Sequence, residues 1–432
     1  MNIDNTRWDN LQLLRAQLKA YFKQREEVVD GALAALLAGV HVLLVGPPGT
    51  AKSMLTHVLC TKIEGASYFY YLLNKFTTWA QLACGPAIVR EQDDESGKTI
   101  HFRNTEGPML RALIVFLDEI FKASGATLNS LLSYLNERTY SINAGELGRA
   151  PVLTVFAASN ELPGKDEEEL RAFADRFLLR YEVQYISISH EGDTAFIDML
   201  AGDDPVPDCR LDIDEFRFFR AQAERVAIRR SVLGMVSAIR AKLKLAHQIE
   251  PSDRRYKESL RVLKAFAFLN GHAEVTIEDL GVLEHVLWTS RDRSERDAVR
   301  KVIHEVVRDP ALLQAVALFG EAERIYRDAV DCLKRAAGAV PFDQGQRQAL
   351  EVVLDQARGH ERRLEEIYLM LDGLAGAAES GTATTLRTYV NQVSVFRKHL
   401  VQTRGVENPF LLLPPGAGQT LSAEGASRWA QA

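Results

Sequence analysis

Cysteine is scarce. The chain of 432 residues has four, Cys60, Cys84, Cys209 and Cys332, with no CxxC pair and no metal-ligand spacing. That excludes a disulfide-stapled scaffold and a zinc ribbon, and fits scattered reduced thiols in a cytosolic chain. Long apolar runs are missing too: none approaches the ~20 residues that a membrane span needs. The N-terminus, MNIDNTRWDN, is polar and acidic where a secretory leader would be basic and then apolar. The expectation is a cytoplasmic protein. Nor does charge of one sign dominate. With 52 Lys+Arg against 58 Asp+Glu, the formal charge of -6 supplies no global cationic field for nucleic acid or acidic lipid. What remains is an ordinary globular composition, 47% hydrophobic and 25% charged, at a length that accommodates two or three domains.

Leu11, Leu14, Leu18, Phe22, Val29, Leu33 and Leu36 recur near helical spacing and predict helix over 8–38. A β-rich run, Val40 to Val45, ends in Gly46-Pro47-Pro48-Gly49. Further strands are expected at Tyr68 to Leu72, Leu113 to Leu117, Leu153 to Ala158 and Leu178 to Ile186, with helices between them. Such alternation predicts an α/β domain with a largely parallel sheet over 1–202. Two polar segments, Glu91 to Asn104 and Arg138 to Arg149, read as hairpin insertions, near 87–108 and 138–150. A linker, Gly202-Asp203-Asp204-Pro205-Val206-Pro207, precedes an all-α region to about 300 with helices at Ser231 to His247, Asp253 to Phe268 and Thr276 to Trp288. Thr276 and Asp279 give the last a capping-box-like start. In 301–408 a stripe through Leu350, Val353, Leu354, Ala357, Leu364, Ile367, Tyr368 and Leu371 predicts a helical hairpin or bundle, pairing with 311–336. The tail, 409–432, is rich in Pro, Gly, Ser and Ala and reads as flexible.

Gly46-Pro47-Pro48-Gly49-Thr50-Ala51-Lys52-Ser53 fits G-x-x-x-x-G-K-[ST] between a predicted strand and a predicted helix, the context this phosphate-cradling loop requires. Its backbone N–H groups and the following helix N-terminus suit phosphate oxygens. Lys52 would reach the β- and γ-phosphates of ATP, and the Ser53 hydroxyl would sit on Mg²⁺. A second apolar run, Leu113 to Leu117, delivers Asp118 and Glu119 to a strand end. Asp118 suits Mg²⁺, and Glu119 suits activation of the attacking water. A third strand, Val155 to Ser159, ends in Asn160, whose amide can position that water or donate to a phosphate oxygen.

These segments, with FLDEIFKASGATLNSLLSYLNERTY, AASNELP, ADRFLLR and SDRRYKESLRVLKAFAF, resemble MoxR-type AAA+ ATPases, most closely the RavA branch, over about residues 7–290. The resemblance implies a five-stranded α/β core, a helical lid and a homo-oligomeric, usually hexameric, ring. It implies that the two polar insertions are that clade's helix-2 insert and pre-sensor-1 hairpin. It also implies an arginine finger at Arg176, inserted into a neighbouring subunit's site, and a sensor-2 arginine at Arg254 or Arg255. Its usual companion is a VWA-domain protein, and its work is chaperone-like remodelling or metal or cofactor insertion on a protein client. The RavA branch also carries a small β-rich module after the lid, for a decarboxylase partner; 310–432 shows no such strand-rich insert.

Other readings compete. A basic segment (Arg229, Arg230, Arg240, Lys242, Lys244, Arg254, Arg255, Lys257) would suit a nucleic-acid-dependent motor, but no zinc motif, winged helix or aromatic-interleaved strand accompanies it. A GTPase is disfavoured because Asn74-Lys75 continues Phe76-Thr77, without the Asp that guanine recognition needs. A kinase would need an acceptor pocket, whereas Glu119 suits water. His304-Glu305 has Arg308 where a zinc protease needs a second His. A nucleotide-stabilised scaffold with slow hydrolysis is the remaining alternative.

Overall fold

The computed structural model describes residues 5–83, 88–92, 99–103, 107–143, 146–164, 167–202, 206–289, 292–337, 344–378 and 380–404. The predicted tail at 409–432 lies outside them. Contacts divide the chain into two compact units, Met1–Ile228 with Pro251–Arg300, and Arg229–Glu250 with Lys301–Ala432.

The first unit is built on five strands: β1 (Val42–Val45), β2 (Tyr68–Leu72), β3 (Ile114–Asp118), β4 (Thr154–Ser159) and β5 (Leu179–Glu182). They form one parallel sheet in the order β5-β1-β4-β3-β2. The central strands are buried along their length apart from Asp118, as a sheet covered on both faces demands of its sequence. Val45 pairs with both Ser159 and Glu182, and Leu72 pairs with Asp118. The carboxyl ends therefore align at one edge, where open α/β sheets form their ligand crevice.

The predicted helix over 8–38 is two helices, Asn5–Tyr21 and Glu26–Ala38, separated by a turn in which Gln24 takes a left-handed φ of 54°. The break lets them pack side by side. Arg15 and Lys19 on the first both reach the buried Asp30 on the second, each at 2.6 Å. Helices Ile213–Arg225 and Asp253–Leu269 pack on Glu26–Ala38. The expected α-helix from Thr276 is instead a 3₁₀ stretch, Glu278–His285. Asp279 is fully buried and accepts from Thr276 N and Oγ1 (2.8 and 2.9 Å), from Asn270 (3.0 Å) and, at 2.9 Å, from His272. Its carboxylate thus ties the turn inward as well as capping it. Of the two polar segments, Ile88–Gln92 pairs antiparallel with Thr99–Arg103, and Thr139–Asn143 with Glu146–Arg149.

In the second unit, Pro310–Ala337, Gln344–Ala377 and Ser380–Arg404 pack against one another. The predicted hairpin thus has a third long helix. Ala357, Leu364, Ile367 and Leu371 of the stripe are buried; Leu350, Val353 and Leu354 have side chains outside the described set. Helix Arg230–His247 packs within this unit: Gly234 leaves room for the Tyr389 ring, whose hydroxyl donates to Ser231 O at 2.6 Å. The described residues beyond Lys301 contain no strand.

Candidate nucleotide site

β1 hands directly to the loop Gly46–Ala51 and then to helix Lys52–Thr61. Gly46 is required because a Cβ there would stand 2.0 Å from Val183 O of the neighbouring strand exit. Left-handed φ at Gly49 (79°) and Ala51 (64°) curls the loop, the backbone geometry of an anion-binding concavity. A Cβ on Gly49 would meet nothing within 4 Å, so that side of the loop is open. Thr50 closes the loop from within, its hydroxyl donating to Pro47 O at 2.9 Å, and Tyr185 donates to Pro48 O at 3.1 Å. The Lys52 ammonium folds back into the loop, donating to Gly46 O (2.7 Å) and Pro47 O (2.8 Å). Burial pulls its pKa down, against the opposing charges of Asp118 and Glu119. A buried ammonium met by backbone carbonyls is a charge that a polyphosphate would compensate.

Asp118 and Glu119 arrive from β3. The Ser53 hydroxyl donates to Asp118 Oδ2 at 3.0 Å, so two hard oxygens, the donor type that suits Mg²⁺, already meet. Glu119 sits at a left-handed φ of 53°, which turns its side chain off the strand line. Glu119 Oε1 accepts from Asn160 Nδ2 at 2.9 Å and pairs with Lys122 at 3.2 Å. Lys52, Ser53, Asp118, Glu119 and Asn160, taken from three separate strand ends, thus converge on one edge of the sheet.

The arginines do not join them. Leu179 pairs with Val42 at the amino end of β1, and Arg176 precedes it, so Arg176 lies at the opposite edge, at least roughly 10 Å of sheet away. Its Nε is buried without a hydrogen-bond partner. Arg254 shares that edge: it donates to Asn136 Oδ1 at 3.2 Å and pairs with Glu258 at 2.8 Å. Beside Asn136, Arg138 bonds Gly39 O and Leu153 O, just ahead of β1 and β4. Arg255 is buried, and all five of its N–H donors are engaged. They reach Val286 O, Asp175 O (3.3 Å), Asp175 Oδ1 (2.8 Å), Phe177 O (3.0 Å) and Leu178 O (2.8 Å). Burial depresses its pKa, with Asp175 opposing. Arg180 is equally buried and bonds Ala174 O, Phe177 O and Trp288 O. These two guanidiniums clamp the segment that presents Arg176.

Sequence patterns did not reveal a cleft of about 510 Å³ beside the phosphate loop. Its walls include Gly46, Pro48, Asn160, Glu182, Arg293 and Arg296. Glu182 ends β5, Leu179-Arg180-Tyr181-Glu182, a strand of mixed polarity that gave no such signal as the apolar strand before Asp118; the arginines are brought to it by tertiary packing alone.

Residues 9–198 match a family model described as the MoxR domain in MoxR-vWA-beta-propeller ternary systems, and residues 231–303 match an AAA lid domain. The uncharacterised protein MJ0079 of Methanocaldococcus jannaschii is 39% identical over 296 residues, 68% of this chain and 74% of that one. The chaperone MoxR1 of Mycobacterium tuberculosis is 26% identical over 187 residues, 42% of this chain and 46% of its own length. A crystal structure of a protein from Cytophaga hutchinsonii aligns with TM-score 0.53 at 16% identity, over 70% of this chain and 95% of that one, a likeness of fold. With its α/β core, helical lid and phosphate loop, the chain belongs to the MoxR-type AAA+ ATPases.

Proposed function

We propose that the protein hydrolyses ATP to ADP and phosphate at the interfaces of a homo-oligomeric ring, six-membered as in the family, and uses the cycle for chaperone-like work on a protein client. The observation that carries this reading is the split of the machinery. Lys52, Ser53, Asp118, Glu119 and Asn160 meet at one sheet edge, while Arg176 and Arg254 lie at the other. A site divided in this way is completed by a second copy, which brings its opposite edge to the first.

In this reading Gly46, Pro47, Pro48, Gly49, Thr50 and Ala51 wrap the phosphates, and Lys52 exchanges loop carbonyls for β- and γ-phosphate oxygens. Ser53 and Asp118 would hold Mg²⁺, which would supply charge neutralisation at the phosphates. Glu119 takes the proton of the attacking water; Asn160 and Lys122 hold that carboxylate until water is in place. Arg176 of a neighbour stabilises the charge of the transition state, a contribution of about 10³–10⁵ in rate for such fingers. Arg254 is the sensor-2 candidate with an exposed guanidinium, whereas Arg255 serves the fold. The core at 1–202, lid at 203–300 and C-terminal domain at 301–408 are the functional parts. A cytoplasmic location, a VWA-domain partner and nearness to the RavA branch complete the proposal. The family model's description supports the VWA partner. Lys242, Lys244 and Arg254 pair with Glu305 (2.6 Å), Glu250 (3.1 Å) and Glu258 (2.8 Å), which weakens a nucleic-acid face.

The test is steady-state ATPase activity against protein concentration, wild type beside Arg176→Ala, with mass measured in parallel. The reading expects specific activity to rise as rings form, and the variant to lose it while still binding ATP. Flat activity from a monomer, indifferent to the substitution, would refute it.

A further inference from the structure

Glu182 lies one residue from the phosphate loop in space: β-sheet register sets it beside Val45, the last residue before Gly46. Its carboxylate holds two arginines at once. Arg293 donates to Oε1 at 2.8 Å, and Arg296 bonds Oε2. Gln184 donates to Oε1 as well. Arg293 and Arg296 are one turn apart in the first turns of helix Arg293–Arg308, so they face the carboxylate together. All three charged groups line the cleft that also exposes Gly46, Pro47, Pro48 and Asn160. Glu182 is mostly buried (15% exposed), while Arg296 (29%) and Arg293 (70%) keep access to the cleft.

One carboxylate is shared by two guanidiniums next to the loop where polyphosphate charge would accumulate, with Glu161 and Asp292 also on the cleft wall. Arginine matches phosphate oxygens with the same planar fork that it offers a carboxylate. Resting on the ATP-binding reading above, we propose that Glu182 is a latch that holds Arg293 and Arg296 until nucleotide binds, and that the polyphosphate of bound nucleotide takes these arginines from it. The arginines are thereby positioning residues contributed by the same chain, distinct from Arg176. The helix that carries them runs without a break to Arg308, from residues of the first unit into residues of the second.

The experiment measures ATPγS binding by calorimetry for wild type, Lys52→Ala, Glu182→Gln, the double variant R293A/R296A, and the triple variant that combines all three latch substitutions. Folding of each is checked by its thermal transition. The latch expects Glu182→Gln to tighten binding about threefold or more, because the arginines no longer have to be taken from a charged partner. R293A/R296A should weaken binding about tenfold or more. The triple variant decides the mechanism. If Glu182 acts through the arginines, its substitution has no effect once they are gone. If the tightening persists in their absence, Glu182 merely repels the phosphates and the latch is wrong. The latch is also wrong if wild type binds in a Lys52-dependent manner while both latch variants bind like wild type. Absence of Lys52-dependent binding would instead overturn the nucleotide-site reading itself, so the two failures are distinguishable.

Discussion

Arg255 offers the sharpest separation of a structural from a catalytic arginine. Its five donors meet Val286 O, Phe177 O, Leu178 O and both Asp175 O and Oδ1, and its side chain is 1% exposed. Arg255→Ala leaves four carbonyls and the carboxylate of Asp175 short of a partner and opens a space where a guanidinium stood. Removing one member of a buried ion pair costs about 3–5 kcal/mol; here the Asp175 carboxylate, 32% exposed, keeps part of its hydration. Arg180, 3.9 Å from Asp175 Oδ1, compensates in part, which places the expectation at the lower half of that range. For a unit of this size each kcal/mol moves the midpoint by about 2–4 °C, so the transition should fall by roughly 6–16 °C. Differential scanning calorimetry measures the fall, and calorimetric titration with ATPγS well below the new midpoint should still detect binding. The refuting result is a transition unmoved within a degree or two combined with lost hydrolysis. Arg255 would then contact nucleotide, and its five carbonyl and carboxylate bonds would have been misjudged as a clamp.

Glu119→Gln should retain ATP binding and lose about 10²-fold or more in hydrolysis, whereas Lys52→Ala should lose binding itself; calorimetry and phosphate release separate the two. Tyr181→Phe should stabilise the protein by about 1 kcal/mol, because its buried hydroxyl has no partner, and a urea melt reads this directly. Gly31→Ala should do the reverse: its Cβ would stand 1.9 Å from that hydroxyl, an overpacking cost of about 1–3 kcal/mol measured in the same melts. His41 accepts at Nδ1 from Val155 N–H and donates from Nε2 to Leu135 O, an arrangement only the neutral ring can make. Burial lowers its pKa from 6.5 to about 4, with Arg138 adding to the shift and the Leu135 bond opposing it. Between those values the unfolded chain binds the proton and the folded one does not. Stability should therefore fall as pH drops from about 6.5 to about 4, by ~1.4 kcal/mol per pH unit for this group. His41→Gln should flatten that slope by one proton's worth in urea melts taken across the range.

The phosphate loop and the paired carboxylates were legible because each depends on neighbours in sequence. A glycine-rich turn between strand and helix, or an apolar strand ending in Asp118-Glu119, carries its geometry in a few consecutive residues. The parallel sheet was legible for the same reason: strands buried on both faces read as unbroken apolar runs. Boundaries were less so. The helix over 8–38 kept its apolar spacing across Tyr21 to Arg25, where only the left-handed Gln24 reveals a turn. The buried Asp279 hub draws on Asn270 and His272 as well as Thr276, which a capping pattern confined to Thr276 and Asp279 does not contain.

What the residues determined by themselves is which side chains gather at the carboxyl edge of the sheet, since local backbone pattern fixes where Lys52, Ser53, Asp118, Glu119 and Asn160 emerge. What only the tertiary structure decided is the fate of the arginines. Arg254 and Arg255 are adjacent in sequence, yet one is exposed at the amino edge and the other is sealed around Asp175. Arg293 and Arg296 reach Glu182 across more than a hundred residues. A long charged side chain has no periodicity of its own; its role is set by which carbonyls and carboxylates the folded chain brings within reach.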